Sequence, residues 1–110
     1  MGNLNRISLL RQFTIEEPKN PFNWYALALE LQESDTQEAQ GLYSKLLKDF
    51  PDYLPTYYHA AHFFEALEKL DLAQETYEKG MALAKRTQEH KTLKELANAY
   101  QNFLFEHDLD

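Results

Sequence analysis

The chain has 110 residues, of which 44% are hydrophobic and 26% are charged, and it carries a formal net charge of −7 and no cysteine. This length suits one domain that buries its own core, and the missing cysteines exclude disulfides, thiolate catalysis and Cys-ligated zinc. A phosphate-binding surface needs a stripe of basic residues, which this acidic chain lacks, so we predict no nucleic-acid partner.

Membrane association is also not expected from the sequence. No run approaches the roughly 20 apolar residues that cross a bilayer. The first fifteen residues contain no unbroken apolar stretch of the kind found in secretory signals. We therefore predict no membrane partner and a cytoplasmic location, with which the lack of cysteine is compatible.

Six helices are predicted in chain order, because apolar residues recur at helical spacing and long period-2 alternation is absent. A first helix covers residues 3–17. Two helix pairs follow over residues 20–52 and 54–86, and a last helix covers residues 90–107. The predicted fold class is therefore all-α.

Several residues indicate where the helices begin. Asn20, followed by Pro21, is a typical N-cap, and either Asp35 or Thr36 can cap the third helix. Asp71 with Gln74, and Thr92 with Glu95, are spaced as capping boxes. The sequence leaves open whether the fifth and sixth helices are separated by a turn or form one nearly continuous helix.

A repeat of 34 residues relates the second helices of the two pairs. The residues at this spacing are Ala39 and Ala73, Tyr43 and Tyr77, Leu46 and Gly80, and Leu47 and Met81. The first helices are offset by 33 residues instead, from Trp24 to Tyr57. A period in this range predicts stacked helix pairs in a solenoid.

The order of large and small residues within each copy resembles the tetratricopeptide repeat (TPR). The first copy has Trp24, Leu27, Ala28, Leu31, Ala39, Tyr43, Leu46 and Pro51. The second has Tyr57, Ala60, Ala61, Phe64, Ala73, Tyr77 and Gly80. The resemblance implies an α-solenoid of antiparallel helix pairs, with two full repeats flanked by half repeats in a single domain over residues 1–110. Trp24, Tyr43, Phe64 and Tyr77 are expected in its core.

The resemblance also implies a binding surface, because the first helix of each TPR pair lines a concave groove. One set of positions would face that groove. They are Phe22, Tyr25, Ala26, Leu29, Tyr58, His59, His62 and Glu65 from the two repeats, and Lys91, Lys94, Glu95 and Asn98 from the last helix. Aromatic and imidazole side chains on an exposed helix face favour a groove that binds a peptide or protein segment. The alternative is that a terminal helix covers them.

Some TPR domains hold a C-terminal carboxylate with Lys, Asn and Arg side chains. At the matching positions this chain has Tyr25, Leu29, His59, Lys91 and Glu95, of which only Lys91 fits. Binding of a C-terminal carboxylate is therefore not expected here.

Neither a metal, another cofactor nor catalysis is predicted. His59 and His62, with Glu65 one step further on, share a helix face at a spacing that metal ligands use, but a second helix would have to supply further ligands. His107 falls among the last residues, which are expected to fray. The sequence has neither a nucleophile motif of the G-x-S-x-G type nor a Gly-rich phosphate loop, so we predict that the protein is not an enzyme.

Two functional hypotheses remain. The first is an adaptor that binds a protein or peptide in the groove. The second is a scaffold module that self-associates, as a homodimer for example, through apolar residues at the end of its C-terminal helix. These residues are Phe103, Leu104, Phe105 and Leu109. The sequence names neither the partner nor the pathway.

Overall fold

The computed structural model describes residues 4–109, and these residues form six α-helices. Their bounds are α1 Leu4–Glu16, α2 Pro21–Leu31, α3 Thr36–Asp49, α4 Pro55–Ala66, α5 Leu70–Arg86 and α6 His90–Glu106. No strand occurs between residues 4 and 109, so the all-α prediction is confirmed. None of these helices is both long and apolar enough to cross a bilayer.

The described residues group into two compact units, one ending at Thr56 and the other beginning at Tyr57. Asn3, predicted as the first helical residue, lies outside the described residues. The single domain over residues 1–110 stays a prediction.

In the first unit, α1 packs on α2 and α2 packs on α3. Ala28 and Ala39 are fully buried, as is the Tyr43 side chain. Small residues beside a large ring are the pattern that close packing of helices requires. The Tyr43 hydroxyl donates a hydrogen bond to Gln32 Oε1 at 2.9 Å, so the ring is buried without leaving its polar atom unpaired.

Trp24 is only partly buried, which corrects the prediction that it is a core residue. Its Nε1 donates to the carbonyl oxygen of Pro18 at 2.9 Å. The Lys45 ammonium lies 4.8 Å from the centre of the indole ring, close enough for a cation–π contact. Because its N–H bonds to the loop before α2, the indole stays at the edge of the core.

In the second unit, α5 packs on α6, and α5 also contacts α4 through Gly80. Phe64 and Tyr77 are fully buried, and Phe103 is 1% exposed. A Cβ atom at Gly80 would lie 2.6 Å from Tyr57 Cβ, which is closer than two carbon atoms can approach. Gly80 therefore sets how closely α5 and α4 approach each other.

The predicted Asn20 cap is confirmed, and of the two candidates for the cap of α3 the structure selects Asp35. The Asn20 side chain accepts from the backbone N–H of Phe22, and Asp35 accepts from that of Glu38, both at 3.1 Å. Pro21 is the first residue of α2.

The two predicted capping boxes are wrong. Helix α5 begins at Leu70 after Lys69, and α6 begins at His90 after Glu89. Each of these two preceding residues also closes the helix before it: the Lys69 N–H donates to the Phe64 carbonyl at 2.9 Å. The Glu89 N–H donates in the same way to the Ala84 carbonyl at 2.8 Å. The next helix therefore begins at once, before Asp71 or Thr92 is reached.

Three helices end in a left-handed residue that is not glycine. Glu68, Gln88 and Asp108 have φ of 59°, 59° and 55°, and each precedes the residue that closes a six-residue Schellman turn. The turn at Gln88 separates α5 from α6, which answers the question that the sequence left open. The turn at Asp108 shows that residues 107–109, expected to fray, are hydrogen-bonded to the end of α6.

Replacement of the two helical glycines by alanine is predicted to have opposite effects on stability. Gly80→Ala should lower the free energy of unfolding by about 1–3 kcal/mol, because the new methyl group forces the Tyr57 carbon away. Gly41 is exposed in α3, and a methyl group added there would meet no atom within 4 Å. Gly41→Ala should therefore raise the free energy of unfolding by up to about 1 kcal/mol. Urea denaturation measures both. Equal effects of the two substitutions would contradict this account of Gly80.

Glycine at a left-handed helix end is predicted to stabilise the protein. Gln88→Gly should raise the free energy of unfolding by about 0.5–1 kcal/mol, because glycine adopts positive φ without the strain of a Cβ atom. Gln88→Ala, which keeps the Cβ atom, is the matched control and should change stability much less. Thermal and urea denaturation would contradict the prediction if alanine stabilised as much as glycine.

Candidate functional site

On α2, the predicted groove residues form an exposed apolar surface, which we call the α2 patch (Phe22, Tyr25 and Leu29). Phe22 is 54% exposed, and the other two are partly exposed. The Phe22 and Tyr25 ring centres lie 6.4 Å apart, and Tyr53 meets Tyr25 edge-on at 5.7 Å. Burial raises the pKa of Tyr25, and the neighbouring Tyr53 raises it further. The two rings of the patch thus pack with each other, Tyr25 also packs with Tyr53, and both rings of the patch remain at least partly exposed to solvent.

Two residues differ from the sequence prediction for α2. Ala26 was expected on the exposed face but is only 7% exposed, because it shares a helix face with Asn23, which is also buried. Tyr53 was not predicted at all. It lies in the loop between α3 and α4, where helical periodicity gives no signal.

On α4, the predicted residues form a second surface, the α4 patch (Tyr58, His59, His62 and Glu65). Tyr58 is 39% exposed and packs against His62, with ring centres 4.6 Å apart. The His59 ring lies 5.6 Å from that of Tyr58. One helix face therefore presents a phenol in contact with two imidazoles, none of them fully buried.

Glu65 is the best-connected residue of the α4 patch, although only 18% of its side chain is exposed. Tyr77 donates a long hydrogen bond of 3.4 Å to Oε1, and His62 Nδ1 lies 3.9 Å from the same oxygen. On the other oxygen, His107 Nε2 lies 2.9 Å from Oε2. The carboxylate thus joins α4 to α5 and to the end of α6.

The sequence missed both hydrogen-bonding partners of Glu65. Tyr77 is predicted in the core, and its ring is indeed buried while its hydroxyl reaches the patch. His107 is 42 residues away along the chain, a separation at which no spacing rule operates. Its position depends on the Schellman turn that ends α6.

The predicted residues of α6 are all exposed. They are Lys91, Lys94, Glu95 and Asn98. The structure brings the α4 residues together into one cluster, whereas these four are solvated side chains along one helix.

The electrostatics of the α4 patch follow from burial. Partial burial lowers the pKa of His59, and the nearby His62 lowers it further, because a second positive charge there is unfavourable. The pKa of Tyr77 is raised, mainly by burial and then by the charge of Glu65. Both groups are therefore neutral at pH 7, and His59 presents a ring without charge.

The pKa of His59 is predicted to lie below the ordinary histidine value of about 6.5. The folded state then takes up this proton at lower pH than the unfolded state does, so His59 contributes stability above about pH 6.5 that is lost as the pH falls. NMR titration of the ring protons measures the pKa directly. A midpoint for His59 at or above about 6.5 would contradict the prediction.

Comparison with known proteins gives matches among solved structures alone. No protein-family model and no curated protein matches the chain. A solution NMR structure of a tetratricopeptide repeat domain protein from Salinibacter ruber is 37% identical and superposes with a TM-score of 0.73, covering 78% of this chain and 88% of that one. A crystal structure of a tetratricopeptide repeat domain protein from Salinibacter ruber is 36% identical and superposes with a TM-score of 0.71, covering 76% of this chain and 96% of that one. The chain therefore belongs to the tetratricopeptide repeat family.

Proposed function

We propose that the protein is a non-enzymatic adaptor that binds a peptide or protein segment through the α4 patch, and that the α2 patch is a binding surface of its own unit. TPR domains generally bind proteins or peptides and are typically not enzymes. The observation that carries the proposal is the exposed Tyr58 ring packed against His62. A helix face that only meets solvent usually carries Glu, Lys and Gln instead.

The side chains of both patches suit a binding surface. Tyrosine and histidine are rigid and amphipathic, so they lose little conformational entropy when a partner covers them. The neighbouring rings already restrict Tyr25 and Tyr58 in the free protein. The solvated residues Lys91, Lys94 and Asn98 are proposed as a polar rim. The net charge of −7 favours partners with basic residues.

A second candidate function is self-association through the end of α6. Phe105 is 73% exposed and Leu109 is 43% exposed. Phe103, predicted on the same surface, is 1% exposed and belongs to the core, and Leu104 is partly buried. Two exposed apolar side chains support a weaker interface than the four predicted from the sequence. A constant monomer mass by light scattering across a wide concentration range would remove this candidate.

The cytoplasmic location and the exclusion of nucleic-acid and membrane partners rest on the sequence and stay predictions. A bead-bound chain, exposed to an extract of the native host, would identify the partner.

Truncation of the α4 patch is predicted to abolish most partner binding without unfolding the chain. Tyr58→Ala and His62→Ala should each weaken affinity about 5–30-fold, which corresponds to about 1–2 kcal/mol for a central interface residue. Helical circular dichroism should be unchanged, because neither side chain belongs to the buried core. Binding of the identified partner is measured by calorimetry.

Phe105→Ala is the matched control, since it removes an exposed aromatic ring outside both patches. It should leave affinity unchanged. If it weakened binding while Tyr58→Ala did not, the adaptor surface would lie at the end of α6 and the proposal would be wrong.

A further inference from the structure

Two carboxylates and one imidazole meet where α4 and α6 end, and we call them the Glu–Glu–His cluster (Glu65, Glu106 and His107). Each offers one ligand atom, and these atoms all lie within 4.8 Å of one another. We propose that this cluster binds a divalent transition-metal ion of the Zn²⁺ class. The proposal is independent of partner binding, although Glu65 also belongs to the α4 patch.

The distances fit such an ion. Ligands of tetrahedral zinc, bound at about 2.0–2.2 Å, lie roughly 3.3 Å from one another. His107 Nε2 and Glu65 Oε2 are 2.9 Å apart, so a widening of a few tenths of an ångström makes room for the metal in place of the shared proton. The Glu106 ligand atom lies within 4.8 Å of the other two, and a change of rotamer in this exposed side chain can shorten that to the roughly 3.3 Å of a zinc site.

The donor set selects the type of metal. Imidazole together with carboxylates suits Zn²⁺, Co²⁺ or Ni²⁺, whereas Ca²⁺ and Mg²⁺ prefer oxygen ligands throughout. The three ligands come from α4 and from the end of α6, which is the second source of ligands that the sequence could not supply.

The helix ends favour a cation at this point. The carboxyl end of an α-helix carries a partial negative charge. Within α4 and α6, the last turn of each helix has no basic residue to offset it. Glu65 and Glu106 add two formal negative charges, so a divalent cation meets a favourable field there.

Two of the three ligands, Glu65 and His107, are held in place before any metal binds. Tyr77 donates to Glu65 Oε1, and the His107 ring packs on Phe103 with centres 5.1 Å apart. The backbone N–H of His107 donates to the Phe103 carbonyl at 3.2 Å. Supporting contacts of this kind orient metal ligands and commonly affect affinity 10–100-fold.

A simple hydrogen bond between His107 and Glu65 accounts for part of this geometry, and Glu106 distinguishes the two explanations. A hydrogen bond between His107 and Glu65 does not need the Glu106 carboxylate, whereas a metal ion in the cluster binds that carboxylate as a ligand. The prediction of no metal considered His59 and His62 as ligands and expected His107 to fray, so this cluster replaces the pair of histidines that the spacing indicated.

The test uses the whole 110-residue chain and the metal ions themselves. Co²⁺ titration should produce visible absorption bands that saturate at one equivalent, and Zn²⁺ should displace the cobalt and raise the melting temperature relative to chelator-treated protein. Glu106→Gln and His107→Gln should each weaken Zn²⁺ binding at least tenfold, measured by competition with a chromophoric chelator. His90→Gln, which removes another histidine, exposed at the start of α6, is the matched control and should bind as the wild type does.

The Glu106→Gln variant keeps the test decisive, because its exposed side chain can be replaced without loss of the fold, as circular dichroism will verify. If Glu106→Gln binds Zn²⁺ as tightly as His90→Gln does, the metal site is disproved. The same conclusion follows if cobalt binding does not saturate, or if chelator leaves the melting curve of zinc-treated protein unchanged.

Discussion

The close approach of α5 to α4 at Gly80 is the contact on which the second unit depends. Tyr57 Cβ occupies the space where any other residue at position 80 would place its own Cβ atom. Because Tyr57 is held there, the next residue, Tyr58, is directed to the exposed side of α4. Tyr77, almost one turn before Gly80, then reaches Glu65 with its hydroxyl. The lack of a Cβ atom at Gly80 therefore permits the close packing that places Tyr77 in the core and Tyr58 at the surface of this unit.

Glu65 belongs both to the packing of the second unit and to its surface, and the same contacts serve both. Its carboxylate accepts from the buried Tyr77 and contacts His107, yet 18% of its side chain stays exposed beside His62. The same three neighbours give the residue two roles: support for the aromatic surface that we propose for partner binding, and a ligand for the metal that we propose.

The residues that differ from expectation have a common physical cause. Local sequence patterns gave the predictions for Trp24, Asp71, Thr92 and His107. The actual position of each residue depends on the conformation of the neighbouring loop or turn. A carbonyl in the preceding loop keeps the Trp24 indole at the core edge. Left-handed residues at Glu68 and Gln88 start the following helices before the predicted caps. A Schellman turn orders His107 where fraying was expected.

The sequence by itself determined the helices, the 34-residue repeat and the core positions Tyr43, Phe64 and Tyr77, because periodic burial follows from local geometry and leaves a direct record in residue type. It also placed Tyr58, His59 and His62 on one exposed face. Only the tertiary structure decided which groups meet across distant segments: Tyr53 against Tyr25, and His107 against Glu65. Such contacts depend on helix ends and turn angles, where small changes in backbone direction move a side chain by several ångströms, and residue spacing carries no information about them.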